Sequence, residues 1–294
     1  MPATTPAAGT PVPTSGWGAL VARRPLTAFL VLALGIGWVS LGVPVALGID
    51  SSPFLILMLL GLLVPSLLVT RAADGWSGVR RLLARAFQWR FGLVRWAVVV
   101  FAMPVITLAL AAATGTLVDP AGGWFALTGW YLFNTLIFGA LLANLWEETA
   151  WAGFAQTRLM ARHGLILSSL LTAVPFALIH IPLYVADAAT ASELARNLVL
   201  LFALAPVYRY LLGVHMLDSR GSVLAVGIQH AAWNASGNLE AVAGAWQVIA
   251  AVLVLTVLVA VQHLLGRPST GRGRAAEQAA ARDWLLAPQR QKET

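Results

Sequence analysis

The chain is a succession of apolar runs, each about as long as a bilayer is thick, joined by short connectors that hold most of the charge. A lipid core offers no water to an open backbone, so runs of this kind fold as helices that satisfy their own amides. Spanning about 30 Å of hydrocarbon takes about 20 helical residues. The candidate spans are Leu26 to Leu47, Phe54 to Val69, Ala97 to Ala113, Phe125 to Ala155, Leu165 to Val185, Leu198 to His215, Val223 to Ser236 and Trp246 to Leu265. The expected fold is all-α, a polytopic transmembrane helix bundle of about eight spans. Charged residues make up only 11% of the chain against roughly 25% in soluble domains, which excludes an ordinary soluble fold. Cysteine is absent, so disulfides, thiolate metal sites and a Cys nucleophile are excluded as well.

Domain limits follow from the same runs. Met1 to Gly16 is rich in Pro, Thr, Ala and Gly and reads as a disordered tail. The expected organisation is a cytoplasmic tail over 1–22, a membrane domain over 23–266 and a cytoplasmic tail over 267–294. No cleaved signal peptide is expected, because the first apolar run follows Arg23 and Arg24 and is long enough to span. Arg71, Arg80, Arg81, Arg85, Arg90 and Arg95 fall between the second and third spans, Arg158 and Arg162 after the fourth, and Arg220 before the seventh. With eight crossings these share one side with both termini, and the opposite loops hold Asp50, Asp119, Asp187, Glu193, Arg196 and Glu240. The positive-inside rule therefore predicts a multi-pass protein of the cell (plasma) membrane with both termini cytoplasmic. That bias and anionic lipid account for the +7 net charge, so no nucleic acid is expected as a partner. Gly78 to Phe91 reads as an amphipathic connector on the membrane surface, and AAEQAAARDWLL in the tail as a short surface helix.

Chemistry enters where polar groups interrupt hydrocarbon. Glu147 and Glu148 are the one adjacent pair among 12 acids, and they lie inside the fourth apolar run. Ionisable groups in a span are functional by default. Consecutive helical residues project about 100° apart, so the two acids are expected to play different parts. His180 lies on the fifth span, five residues after Pro175, while His230 and Asn234 are four apart on the seventh and share a face. Arg209 interrupts the sixth run. Glu147, His180 and His230 have the composition of a catalytic zinc set with an open position, although no His-Glu-x-x-His helix is present. A proton-coupled transporter would use similar groups, yet no inverted repeat is seen. His163, His215 and His263 read as interfacial, and Asn144, four before Glu148, as a partner for that carboxyl. Trp146, Trp151 and Trp233 read as packing residues.

A paired Glu, then Phe176-x-x-x-His180, then His230-x-x-x-Asn234, in this order on successive spans, resembles the CPBP family of intramembrane proteases, also called the CAAX prenyl protease or ABI family. The likeness covers roughly 125–237. The family's first motif is Glu-Glu-x-x-x-Arg followed by Gly; here Glu147, Glu148 and Gly153 match, and the Arg position is Ala152. The resemblance implies an endopeptidase that hydrolyses a peptide bond of a membrane-embedded or membrane-associated protein or peptide. Glu147 would activate the water, His180 would orient it, and His230 with Asn234 would stabilise the oxyanion. The family is described both as metalloprotease and as glutamate-dependent protease; no cofactor is expected to be required, and a divalent metal such as zinc on Glu147, His180 and His230 is the metalloprotease form. Relatives also confer self-protection against bacteriocins, and loss of the Arg raises the alternative of a catalytically impaired interaction or self-immunity protein. Glu148, lacking a partner at Ala152, is expected to pair instead with Arg209. Measured from Arg158 and Arg220, Glu147 and His230 lie at similar depths of about 15 Å, whereas His180 lies nearer 27 Å from Arg162 at 1.5 Å per residue.

Overall fold

The structure, a computed structural model, describes residues 16–265 and 273–286. The expectations for the first 15 residues, for 266–272 and for the residues after 286 lie outside the described residues. The helices are α1 (Gly16–Arg23), α2 (Pro25–Ala46), α3 (Leu55–Ala86), α4 (Leu93–Ala113), α5 (Gly123–Leu132), α6 (Leu145–Glu148), α7 (Thr157–Asp187), α8 (Ala191–Asp218), α9 (Val223–Ser236), α10 (Trp246–Leu265) and α11 (Arg274–Leu286). Two π-helical stretches, Phe133–Asn144 and Thr149–Gln156, join α5, α6 and α7 into one continuous helical path. Among the described residues there is no strand, only a bridge between Leu117 and Val242.

Among the described residues, six helical segments are long and apolar enough to cross a membrane, and one of them, Gly123–Asp187, is 65 residues long. It folds back at Gly164, where φ is 76°, and so holds two crossings. With the short α9 the count is about eight. Outward faces are apolar, with Val31, Leu68, Phe125, Val174 and Val257 all exposed, as a lipid-facing surface requires. Helices in lipid associate through close packing and internal hydrogen bonds, because burying a leucine among lipid tails changes little. Small residues make that approach here. A Cβ on Gly37 would stand 2.7 Å from Ile179 Cδ1, one on Gly139 2.7 Å from Ala231 Cβ, and one on Gly227 3.1 Å from Leu145 Cα. The last two bring α9 against the path that carries the acids.

Several expectations change. Helix α1 starts at Gly16 and buries Ala19, so the chain is structured before Arg23. The Gly78 to Phe91 connector is no free surface helix: after a break at Gly75 it runs to Ala86 and turns Arg85 inward, donating to the carbonyls of Gly221 (2.8 Å) and Gly153 (3.3 Å). Arg158 is no surface marker either, since it is buried, pairs with Asp74 and lies 3.9 Å over the Phe154 ring. Helix α11 docks on the bundle with Ala281 fully buried. Its Glu277 Oε2 accepts from the Leu165 amide (2.7 Å), while Gln278 and Arg282 donate to the carbonyls of Arg162 (2.6 Å) and Ala161 (3.2 Å). The Gly164 turn is thus capped from both sides by a distant helix.

That turn also resolves the depth of His180. Glu147 lies 17 residues before Gly164 and His180 16 residues after it, so a hairpin pivoting there sets them level. Arg158 and Arg162 were the wrong origin.

Candidate active site

Glu147 and Glu148 occupy one α-helical turn between the two π-helical stretches. Runs of i→i+5 bonding are rare and concentrate at functional sites, where the wider turn re-aims side chains. Here Glu147 is 4% exposed and Glu148 not at all.

Glu148 faces inward to a complete set of partners. Arg209 Nη1 donates to both of its oxygens (2.9 and 2.8 Å), and His230 Nδ1 lies 2.9 Å from Oε1. The expected pair across the fourth and sixth spans is therefore formed. Gln156 fastens the arginine, its Oε1 accepting from Nε (3.1 Å) and Nη2 (2.5 Å), while its Nε2 donates to the Arg209 carbonyl (2.9 Å) and Ser169 Oγ (3.1 Å). Burying an isolated charge is prohibitive, and a bidentate partner with its own acceptors is the arrangement that tolerates it. Ala152 is wholly buried in the packed interior. The cation comes instead from α8.

Glu147 is placed differently. Its Oε1 lies 3.6 Å from His180 Nε2 and makes no hydrogen bond, although it is buried; Oε2 lies 4.0 Å from His230 Nδ1. Asn144 Nδ2 reaches Oε2 at 3.5 Å, so Asn144 serves Glu147 and not Glu148, the partner expected of it. Asn144 Oδ1 in turn accepts from Asn234 Nδ2 at 3.5 Å, which links α9 to the acid through one amide. His180 Nδ1 sits 2.6 Å from the Phe176 carbonyl. A carbonyl only accepts, so Nδ1 carries a proton, and Nε2 faces the carboxylate. By the same reasoning His230 gives its Nδ1 proton to Glu148, leaving Nε2 uncommitted. Phe176 packs on both rings, with centroids 4.6 Å from His180 and 6.1 Å from His230.

All six sequence-derived residues, Glu147, Glu148, His180, Arg209, His230 and Asn234, meet in this one cluster, with Asn234 at its exposed edge. Three others were not anticipated in their roles: Asn144, Gln156 and Tyr208. Tyr208 is fully buried, its hydroxyl has no partner, and its ring stands edge-on to His230 at 5.3 Å. Its place beside Arg209 was the available signal. Of the remaining histidines, His215 is buried with both ring nitrogens unpartnered, so it is not interfacial, and His263 is buried against Asp218 Oδ1 at 2.9 Å. Trp151 packs as expected, edge-on to Phe29 (5.6 Å) and Phe176 (6.1 Å).

Ligand atoms about 2.1 Å from a tetrahedral zinc lie about 3.4 Å apart. Glu147 to His180 approaches that spacing at 3.6 Å, while His230 Nδ1, 4.0 Å from Glu147, is committed to Glu148, so His230 could ligate only through Nε2. Among the described residues no three His, Asp and Glu side chains converge to hold a metal ion.

No curated protein matches the chain. Residues 126–236, which contain both acids, both histidines, Arg209 and Asn234, match the family described as Rce1-like, type II CAAX prenyl endopeptidase, consistent with the CPBP or CAAX protease family.

Proposed function

We propose that the protein is a glutamate-dependent intramembrane endopeptidase in which Glu147 is the general base. The observation that carries this reading is the buried Glu147 Oε1, which has no hydrogen-bond partner and faces His180 Nε2. A water resting beside such a pair can hydrogen-bond to both atoms at once. Glu147 takes a proton from the water as its oxygen attacks the scissile carbonyl carbon. The resulting oxyanion is met by donors from His230 Nε2, when that nitrogen is protonated, and Asn234 Nδ2. Such preorganised donors are worth about 3 kcal/mol each in a site of low dielectric. The proton then passes from Glu147 to the leaving nitrogen as the C–N bond breaks, giving a carboxylic acid, which retains the water's second proton, and an amine. Glu148 stays ionised against Arg209 throughout and fixes the His230 ring, a positioning role. No step is routed through a metal.

The alternative of an impaired interaction or self-immunity protein drew its weight from Ala152, and Arg209 supplies the cation that Ala152 lacks. We read it as a cell-membrane protein with both termini cytoplasmic, the side that holds most of the arginines forming its inner face. The substrate class is a membrane-anchored peptide, and a farnesylated peptide ending in a CAAX sequence is the first probe. Purified protein in liposomes should cut it, and Glu147→Gln should lower kcat by about 10³-fold or more at unchanged thermal stability. Wild-type kcat in Glu147→Gln would end this assignment.

A further inference from the structure

A cleft of about 290 Å³ lies between the first π-helical stretch and α9, lined by Trp130, Asn134, Phe138, Asn144, Asn234 and Asn238 among others. A second cavity of about 410 Å³ shares Trp130 and Asn238 with it and continues past Leu127 to Glu240. The inner end is one hydrogen bond from Glu147, through Asn144. The outer end lies in the loops bridged by Leu117 and Val242, away from the arginine-bearing connectors. From Ala231 to Asn238 the wall rises about 10 Å, the length of roughly three extended residues.

The lining is chemically unusual for a lipid-embedded wall. Asn134 and Asn238 each spend one N–H on a carbonyl four residues back, those of Trp130 (2.8 Å) and Asn234 (2.7 Å). Each keeps an amide oxygen and a second N–H uncommitted. Amides of this kind complement a peptide backbone, which offers the same donor and acceptor without charge. The one formal charge along the lining is Glu240.

We propose that this cleft seats the substrate segment on the amino side of the scissile bond as an extended backbone, and that Glu240 selects a basic over an acidic flank there. The proposal rests on Glu147 being the reacting end. The chain has no cysteine, so Asn238→Cys introduces a unique thiol. Its rate of modification by a maleimide reagent is measured in liposomes with two farnesylated CAAX peptides, one with Lys and one with Glu four residues before the prenylated Cys. The Lys peptide should slow labelling on the order of tenfold more than the Glu peptide, and Glu240→Gln should close that gap. A control thiol from Arg220→Cys, at the other end of the bundle, should label at the same rate with either peptide. Labelling needs no turnover and is repeated in the Glu147→Gln background. Protection without cleavage by the wild type would remove the hydrolase reading and leave the cleft standing. Cleavage without protection at Asn238, or equal protection by both peptides, would overturn the cleft.

Discussion

Arg209→Met tests whether the cation that serves Glu148 comes from α8. The substitution keeps an unbranched apolar stem but removes both bonds to Glu148 and both to Gln156 Oε1. Neither partner of the ion pair has any exposed side-chain surface, so solvent cannot replace what is lost. Removing one member of a buried pair costs about 3–5 kcal/mol, because the other is left charged and uncompensated. Gln156 Oε1, also buried, adds about 1 kcal/mol or more as an unsatisfied acceptor. Glu148→Gln with Arg209→Met removes both charges and leaves a neutral amide beside His230, so it should regain at least about 2 kcal/mol over Arg209→Met, a shift of about thirtyfold in the folding equilibrium. Stability is read from tryptophan fluorescence during unfolding in mixed micelles, for wild type, both single variants and the double. Arg209→Met within about 1 kcal/mol of wild type would refute the assignment of the counter-ion. So would a double variant no more stable than Arg209→Met. In the double, kcat on the farnesylated peptide should still fall by about 10–100-fold, since His230 has lost its anionic anchor.

Tyr208→Phe removes a hydroxyl that no protein group uses, so thermal stability should hold while kcat falls about tenfold or more if that hydroxyl meets the reacting peptide; an unchanged kcat would assign it to packing alone. Gly164→Ala forces a Cβ onto a φ of 76° and to 2.7 Å from Arg274 Cγ; it should cost about 1–2 kcal/mol in unfolding measurements and lower kcat by tilting His180 away from Glu147. Dialysis against a zinc chelator should leave peptide cleavage within about twofold of the untreated enzyme, and loss restored by added zinc would contradict a metal-free site.

The bundle was legible because apolar run length is a direct physical requirement of lipid, and residues such as Val31 and Phe125 duly face outward. The cluster was legible because polar groups in hydrocarbon are few, so Glu148 and Arg209 could be paired before their helices were placed. What the sequence concealed was geometry that depends on irregular backbone. The π-helical stretches carry no motif that announces them, and Asn144 reaches Glu147 at i+3, a spacing that shares a helix face as readily as the i+4 that pointed to Glu148. Arginine was read as a surface marker, yet Arg85 and Arg158 turn inward to carbonyls and to Asp74, a distinction composition cannot make. Gln156 carried no motif at all; its role exists only because Arg209 packs against it.

The cap that α11 places on the Gly164 turn bears on how the molecule is made. Glu277 follows Asn234 by 43 residues, so every group of the reaction centre has left the ribosome before the Leu165 amide can receive its side-chain acceptor. The hairpin that sets His180 level with Glu147 is fastened only after those groups are made, and a nascent chain still lacking α11 holds the reactive residues without the clasp that aligns them.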